Sequence, residues 1–159
     1  MTKTVYKPLE KFPIEEIVPT ENDIKFRKQI VRGYVHDQGA ALLGGVGGHA
    51  GIFSTMDDMA VFMQMLLNKG EYAGKRYIKD YVVDEFTQSC CYCPDIRRGL
   101  IFDKPETNPE KDSPVTNECS AESFGHSGFT GTFVWADPKN NLVFIFFKTH
   151  ILIRNLRTI

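Results

Sequence analysis

The nine residues FGHSGFTGT, Phe124 to Thr132, hold one histidine, one serine and three glycines, and they lead directly into apolar sequence. TFVWAD (132–137) and NLVFIFFK (141–148) are rich in β-branched and aromatic residues, with PKNN between them, which predicts a strand hairpin. The second run is almost continuously apolar, as expected of a strand in a sheet covered on both faces. Ser127 stands between Gly125 and Gly128, yet it is no nucleophile elbow. The G-x-S-x-G pattern needs glycine at 129, where Phe129 stands, and an elbow leads into a helix, whereas this serine leads into strands.

Upstream, GYVHDQGAALLGGVGGHAGIFST (33–55) reads as a constrained glycine-rich loop. Gly45 to Ala50 formally matches the relaxed dinucleotide pattern G-x-G-x-x-A. The context is wrong for it: AALL makes only a thin strand, and Gly51-Ile52-Phe53 separate the glycines from the next helix start. That helix is the clearest element of the chain. Ser54 or Thr55 can cap it, Asp57 and Asp58 suit a capping box, and Met59, Phe62, Met63, Leu66 and Leu67 form one apolar face. The methionines read as core packing. Gly70 is the expected stop, and a second helix is expected from about Lys79 to Thr87.

Pro8, Pro13 and Pro19 mark residues 1–32 as an irregular, charged lead-in, and DKPETNPEKDSPVTNE (103–118) reads as a long surface loop. The expected organisation is thus a lead-in over 1–32, a folded portion over 33–148 and a short tail over 149–159. With 159 residues the chain has the length of one domain. Nineteen basic side chains against twenty acidic ones give no electrostatic footprint for nucleic acid. No stretch approaches the roughly 18 apolar residues of a membrane span, and the opening residues lack the apolar core of a signal peptide.

Cys90, Cys91 and Cys93 cluster in SCCYCPD without a second matching pair, and Cys119 stands alone. Structural zinc is therefore weakly supported, and adjacent cysteines pair poorly with each other. His36, His49, His126 and His150 share no ligand spacing on one element, so no metal is expected.

In serine acyl-transfer enzymes of the penicillin-recognising type, one strand beside the site carries K-T-G. Its cation and hydroxyl meet a substrate carboxylate or tune the proton relay. Its glycine admits substrate backbone, and an N–H just beyond it donates to the oxyanion. His126-Ser127-Gly128, followed by Phe129, offers groups of the same kinds in the same order. With GGVGGHAGIFST and RRGLIFD, the chain resembles the beta-lactamase-related serine hydrolases: class C beta-lactamases, penicillin-binding proteins and related esterases. The resemblance covers roughly residues 30–148. It implies an α+β fold of the beta-lactamase/transpeptidase type, with an antiparallel sheet flanked by helices, incomplete here. It also implies acyl transfer through a serine ester, with no metal or organic cofactor. His126, Ser127 and Gly128 would take the place of K-T-G, and the Phe129 N–H would donate to the oxyanion. Histidine in the first position is similar to esterase-like and peptidase-like members.

The family's S-x-x-K is absent. Three residues beyond Ser54, Ser89, Ser113, Ser120, Ser123 and Ser127 stand Asp57, Tyr92, Thr116, Ser123, His126 and Thr130. Y-x-N is absent too; Tyr34-Val35-His36 comes closest. Both motifs precede the matched part in the family, and KTHILIRNLRTI is short beside its closing helix. The expectation is a C-terminal portion of a hydrolase domain, inactive alone, that self-associates or pairs with a complementary N-terminal segment. The alternatives are a non-catalytic module that kept the ligand groove, and an enzyme rewired around Ser127 or the clustered cysteines. A small-molecule or peptide substrate is implied, and localisation is undetermined; the family usually works in the periplasm or cell envelope.

Overall fold

The computed structural model describes residues 1–89 and 96–148. Its contacts separate into two compact units. Of the described residues, one unit holds Met1–Asp58, Gly128–Thr132, Phe147 and Lys148; the other holds those between Met59 and Ser127 and Phe133–Phe146.

The first unit contains a hairpin where an irregular lead-in was expected: β1 (Pro19–Asp23) pairs antiparallel with β2 (Gln29–Arg32). Side chains that no alternation pattern advertises hold it together. Asp23 is buried and accepts the backbone N–H groups of Lys25, Phe26 and Arg27 as well as Arg27 Nε. The Arg27 hydrogen bond, joined by those backbone donors, keeps its carboxyl well below the usual carboxylate range. Pro19 costs nothing at the first residue of a strand. Ile17, Val31, Val35 and Ala40 supply the buried apolar side chains of this unit.

AALL is helical rather than extended. Asp37 caps α1 (Gln38–Leu42) by accepting the Ala40 N–H at 2.7 Å, and Gly45 N–H closes onto the Ala40 carbonyl at 2.8 Å. The glycines of the dinucleotide-like pattern therefore follow a short helix, not a strand. Asp58 makes no capping box. It is buried and accepts from the Thr2 and Lys3 N–H groups and the Thr4 hydroxyl, tying down the start of the chain.

Helix α2 (Met56–Leu67) starts where expected, with Thr55 Oγ1 accepting the Asp58 N–H at 3.3 Å. It ends in a Schellman arrangement: Lys69 takes a left-handed φ of 55°, and the Lys69 and Gly70 N–H groups bond to the Leu66 and Met65 carbonyls. A two-residue hairpin, β3 (Glu71–Tyr72) and β4 (Lys75–Arg76), leads to α3 (Asp80–Thr87). The core of the second unit joins Met63, Met65, Leu66 and Leu67 of α2 to Val83, Phe102, Phe124 and Ala136. Full burial of a side chain such as Met63 stabilises by about 1.5–3 kcal/mol.

The remaining sheet has the order β5 (Phe124–Ser127), β6 (Thr132–Asp137), β7 (Leu142–Phe147). The expectation of cover on both faces fails at β7. Leu142, Phe144 and Phe146 are each half exposed. Phe144 touches Phe133 edge-on, and a groove of about 290 Å³ opens beside it, lined by Val115, Cys119, Trp135 and Leu142 among others. The loop from 103 also departs from the sequence reading at its start. Asp103 pairs with Gly125 through both backbone groups, and Lys104 is buried with Nζ on the Glu122 carbonyl at 2.9 Å. No helix among the described residues is long and apolar enough to cross a membrane.

Candidate active site

Strand β5 is gripped from both sides. Against β6 its register is Phe124↔Ala136, Gly125↔Trp135, His126↔Val134 and Ser127↔Phe133. On the other side the Asp103 and Gly125 N–H groups and carbonyls bond reciprocally at 2.8 and 3.1 Å. Glycine is required at 125, since a β-carbon there would overlap the Val134 carbonyl and the indole of Trp135. Trp135 in turn stacks parallel on Phe133, with ring centroids 5.6 Å apart. Phe124 is buried in the core, so the strand that carries His126 is anchored at its base.

His126 and Ser127 lie on the exposed end of β5. Two partners orient the imidazole. Nε2 faces Arg98 Nη2 at 3.1 Å, and Nδ1 faces the Ser127 carbonyl at 2.7 Å. A guanidinium only donates and a carbonyl only accepts, so one tautomer satisfies both: the proton on Nδ1, the lone pair on Nε2. Arg98 is placed by the bend it starts. Its Nη2 donates to the Ile101 carbonyl at 3.3 Å, its Nε lies 3.5 Å from Asp103 Oδ1, and the Arg98 and Asp103 backbones form a bridge. Arg98 stood in the sequence only as part of RRGLIFD (97–103), with no role attached. Its separation of 28 residues from His126 hid the pairing.

Gly128 and Phe129 belong to the other unit. The Gly128 N–H bonds to the Thr132 carbonyl at 2.7 Å and the Gly131 N–H to the Gly128 carbonyl at 3.0 Å, which closes a tight turn. Gly131 takes a φ of 92° there. The Phe129 N–H finds no acceptor among the described residues. Its ring is 86% exposed and lies 4.7 Å, centroid to centroid, from that of His36. His36 is held by Glu21 at 3.2 Å, and Arg27 donates to its carbonyl. Tyr34, the nearest approach to Y-x-N, is exposed.

No serine hydroxyl among the described residues is bonded to a lysine, histidine or arginine. Among the described residues, Ser127 Oγ has no partner and the buried Ser123 Oγ none either, while Ser54 bonds to Thr4 and Ser120 donates to Asp137 at 2.6 Å. Asp137 is buried. Burial alone would raise its carboxyl, but hydrogen bonds from Ser120 and Asn140 lower it to about 2. Burial pulls the Lys104 ammonium down to about 8 against the attraction of Glu122 and Asp137. Burial pushes the Cys119 thiol up, with Asp137 adding to the effect, the opposite of what a nucleophilic cysteine needs. Cys90, Cys91, Cys93 and His150 lie outside the described residues. His49 pairs with Asp37 at 3.1 Å, and no group of three potential metal ligands occurs among the described residues.

A sequence profile of the Beta-lactamase family matches residues 13–150. The chain belongs to the beta-lactamase family. The two-strand wall and the helical core of the second unit are thus parts of a beta-lactamase-type α+β fold. Among curated proteins it is 34% identical over 151 residues to the N-acetylmuramyl-L-alanine amidase of Bacillus subtilis, covering 87% of this chain and 34% of that protein. It is also 34% identical over 155 residues to a Salmonella enteritidis protein named "Putative D-alanyl-D-alanine carboxypeptidase", covering 89% of this chain and 35% of that protein. The chain spans about a third of the length of these relatives.

Proposed function

We propose that His126, Ser127, Gly128 and Phe129 form the substrate-binding and oxyanion wall of a serine acyl-transfer enzyme. The bond opened is an amide or ester, as in a beta-lactam, a simple ester or a peptidoglycan peptide. The relatives' names, an N-acetylmuramyl-L-alanine amidase and a D-alanyl-D-alanine carboxypeptidase, favour a cell-wall peptide among these. Residues 33–148 act as the later portion of the catalytic domain, and S-x-x-K comes from a segment outside this sequence. No metal or organic cofactor takes part.

The observation that carries the reading is the Phe129 N–H. It follows His126-Ser127-Gly128 directly and has no acceptor among the described residues, as an oxyanion donor requires. A wall without nucleophile and base has no covalent route, because such groups act as a unit. The chain alone is therefore inactive. Intact-mass measurement after incubation with a fluorophosphonate and, separately, a penicillin tests this. Unmodified mass is expected. An adduct on Ser127, any other serine or the clustered cysteines would overturn it.

A second reading is a non-catalytic ligand-binding module. The serine hydroxyls of the described residues, none of them bonded to a lysine, histidine or arginine, favour it. It differs from the first in predicting saturable binding that no added S-x-x-K segment converts into turnover.

A further inference from the structure

We propose that Arg98 positions His126 and supplies the standing positive charge of this wall, which lets it take a substrate carboxylate independently of histidine protonation. The inference deepens the proposed function and rests on it. K-T-G puts a lysine, a permanent cation at neutral pH, in its first position. Histidine ordinarily titrates near 6.5 and is a conditional cation. In this chain the guanidinium beside the imidazole makes up the difference.

The geometry assigns the roles. Arg98 Nη2 donates to His126 Nε2 at 3.1 Å, which leaves the ring proton on Nδ1, where the Ser127 carbonyl accepts it at 2.7 Å. The ring thereby connects Arg98 to the end of β5. Ile101 and Asp103 contact Arg98, and Asp103 is itself paired with Gly125 of the same strand as His126. The Arg98 side chain is 46% exposed, and among the described residues its Nη1 has no hydrogen-bond partner. One arm of a fork suited to carboxylates thus remains free. Among the described residues, the charged and titratable groups in contact with His126 or its guanidinium partner are Arg98 and Asp103.

Long-range ¹H–¹⁵N correlation of the imidazoles in the full ¹⁵N-labelled chain at pH 8 reads the tautomer, with His126 assigned by its loss in His126→Gln. Protonated Nδ1 and bare Nε2 are expected. Arg98→Gln should move the ring toward the Nε2–H form that free imidazole prefers, and Arg98→Lys, still a donor, should restore Nδ1–H in part. An Nε2–H ring in the parent chain, or a ring indifferent to Arg98→Gln, overturns the positioning role.

Titration with D-alanyl-D-alanine and its C-terminal amide at pH 6 and pH 9 then reads the charge. Affinity for the carboxylate form is expected to change less than about threefold between these pH values and to fall at least tenfold in Arg98→Gln. A tenfold loss from pH 6 to pH 9 would make His126 the cation and sink the charge assignment. Absence of binding at both pH values, with a tautomer that still responds to Arg98, would refute the wall itself while the Arg98–His126 pairing stands.

Discussion

At the scale of single residues, Gly125 bears the tightest constraint, wedged between the Val134 carbonyl and the Trp135 ring. Gly125→Ala should destabilise the fold by about 1–3 kcal/mol through overpacking, read as a lower urea midpoint at unchanged slope. Lys104 makes a prediction in pH. Its folded pKa, about 8, lies below the ordinary value of 10.5, so its buried charge is a cost borne at neutral pH. Between about pH 8 and pH 10 the unfolded chain binds more protons than the folded one at this site, and stability from this group rises with pH. Thermal unfolding of Lys104→Met across that window should lack the rise. The sequence showed His126, Ser127, Gly128 and Phe129 as a group because they are contiguous. It could not show Arg98 beside them, since two backbone bridges across a bend, Arg98 to Asp103 and Asp103 to Gly125, create that proximity.

At the scale of elements, legibility followed the source of the stabilisation. Helix α2 was readable because its apolar residues recur at helical spacing and Thr55 caps it; α3 and the β6–β7 hairpin were readable for similar local reasons. The β1–β2 hairpin was not, because its turn depends on the Asp23 carboxylate and on Arg27 reaching Glu21 and the Val35 and His36 carbonyls. Strand AALL became helix because the Asp37 cap outweighs the β-like look of four apolar residues. The β6–β7 turn has a similar polar device. Asp137 accepts from Ser120, Lys139 and Asn140. Its depressed pKa, about 2, means that its contribution is present above pH 4 and is lost as pH falls toward 2. That contribution is on the order of 2 kcal/mol. Acid unfolding of Asp137→Asn should show a correspondingly flatter limb between pH 4 and pH 2, from a lower starting stability.

At the scale of the whole molecule, composition carried no electrostatic footprint for nucleic acid and said nothing of how the surface is arranged. The alternate side chains of β7 left half exposed, Leu142, Phe144 and Phe146, make an apolar stripe unusual for a monomer. Continuous hydrophobicity in the sequence signalled cover on both faces, and within the described residues that cover is missing. We therefore expect concentration-dependent self-association, visible as a rising weight-average mass in sedimentation equilibrium. Phe144→Ser should reduce it with little loss of stability, because that side chain is already half in water. A monomer at all concentrations would show that the stripe is tolerated in solvent.

Trp135, the chain's one tryptophan, is buried, and its indole N–H has no hydrogen-bond partner among the described residues. An indole so shielded from water emits toward the blue, and the signal comes from one address. That address is the residue opposite Gly125, one position from the pairing of His126 with Val134. The protein therefore carries its own optical gauge of the strand that presents His126, free of any background from other indoles.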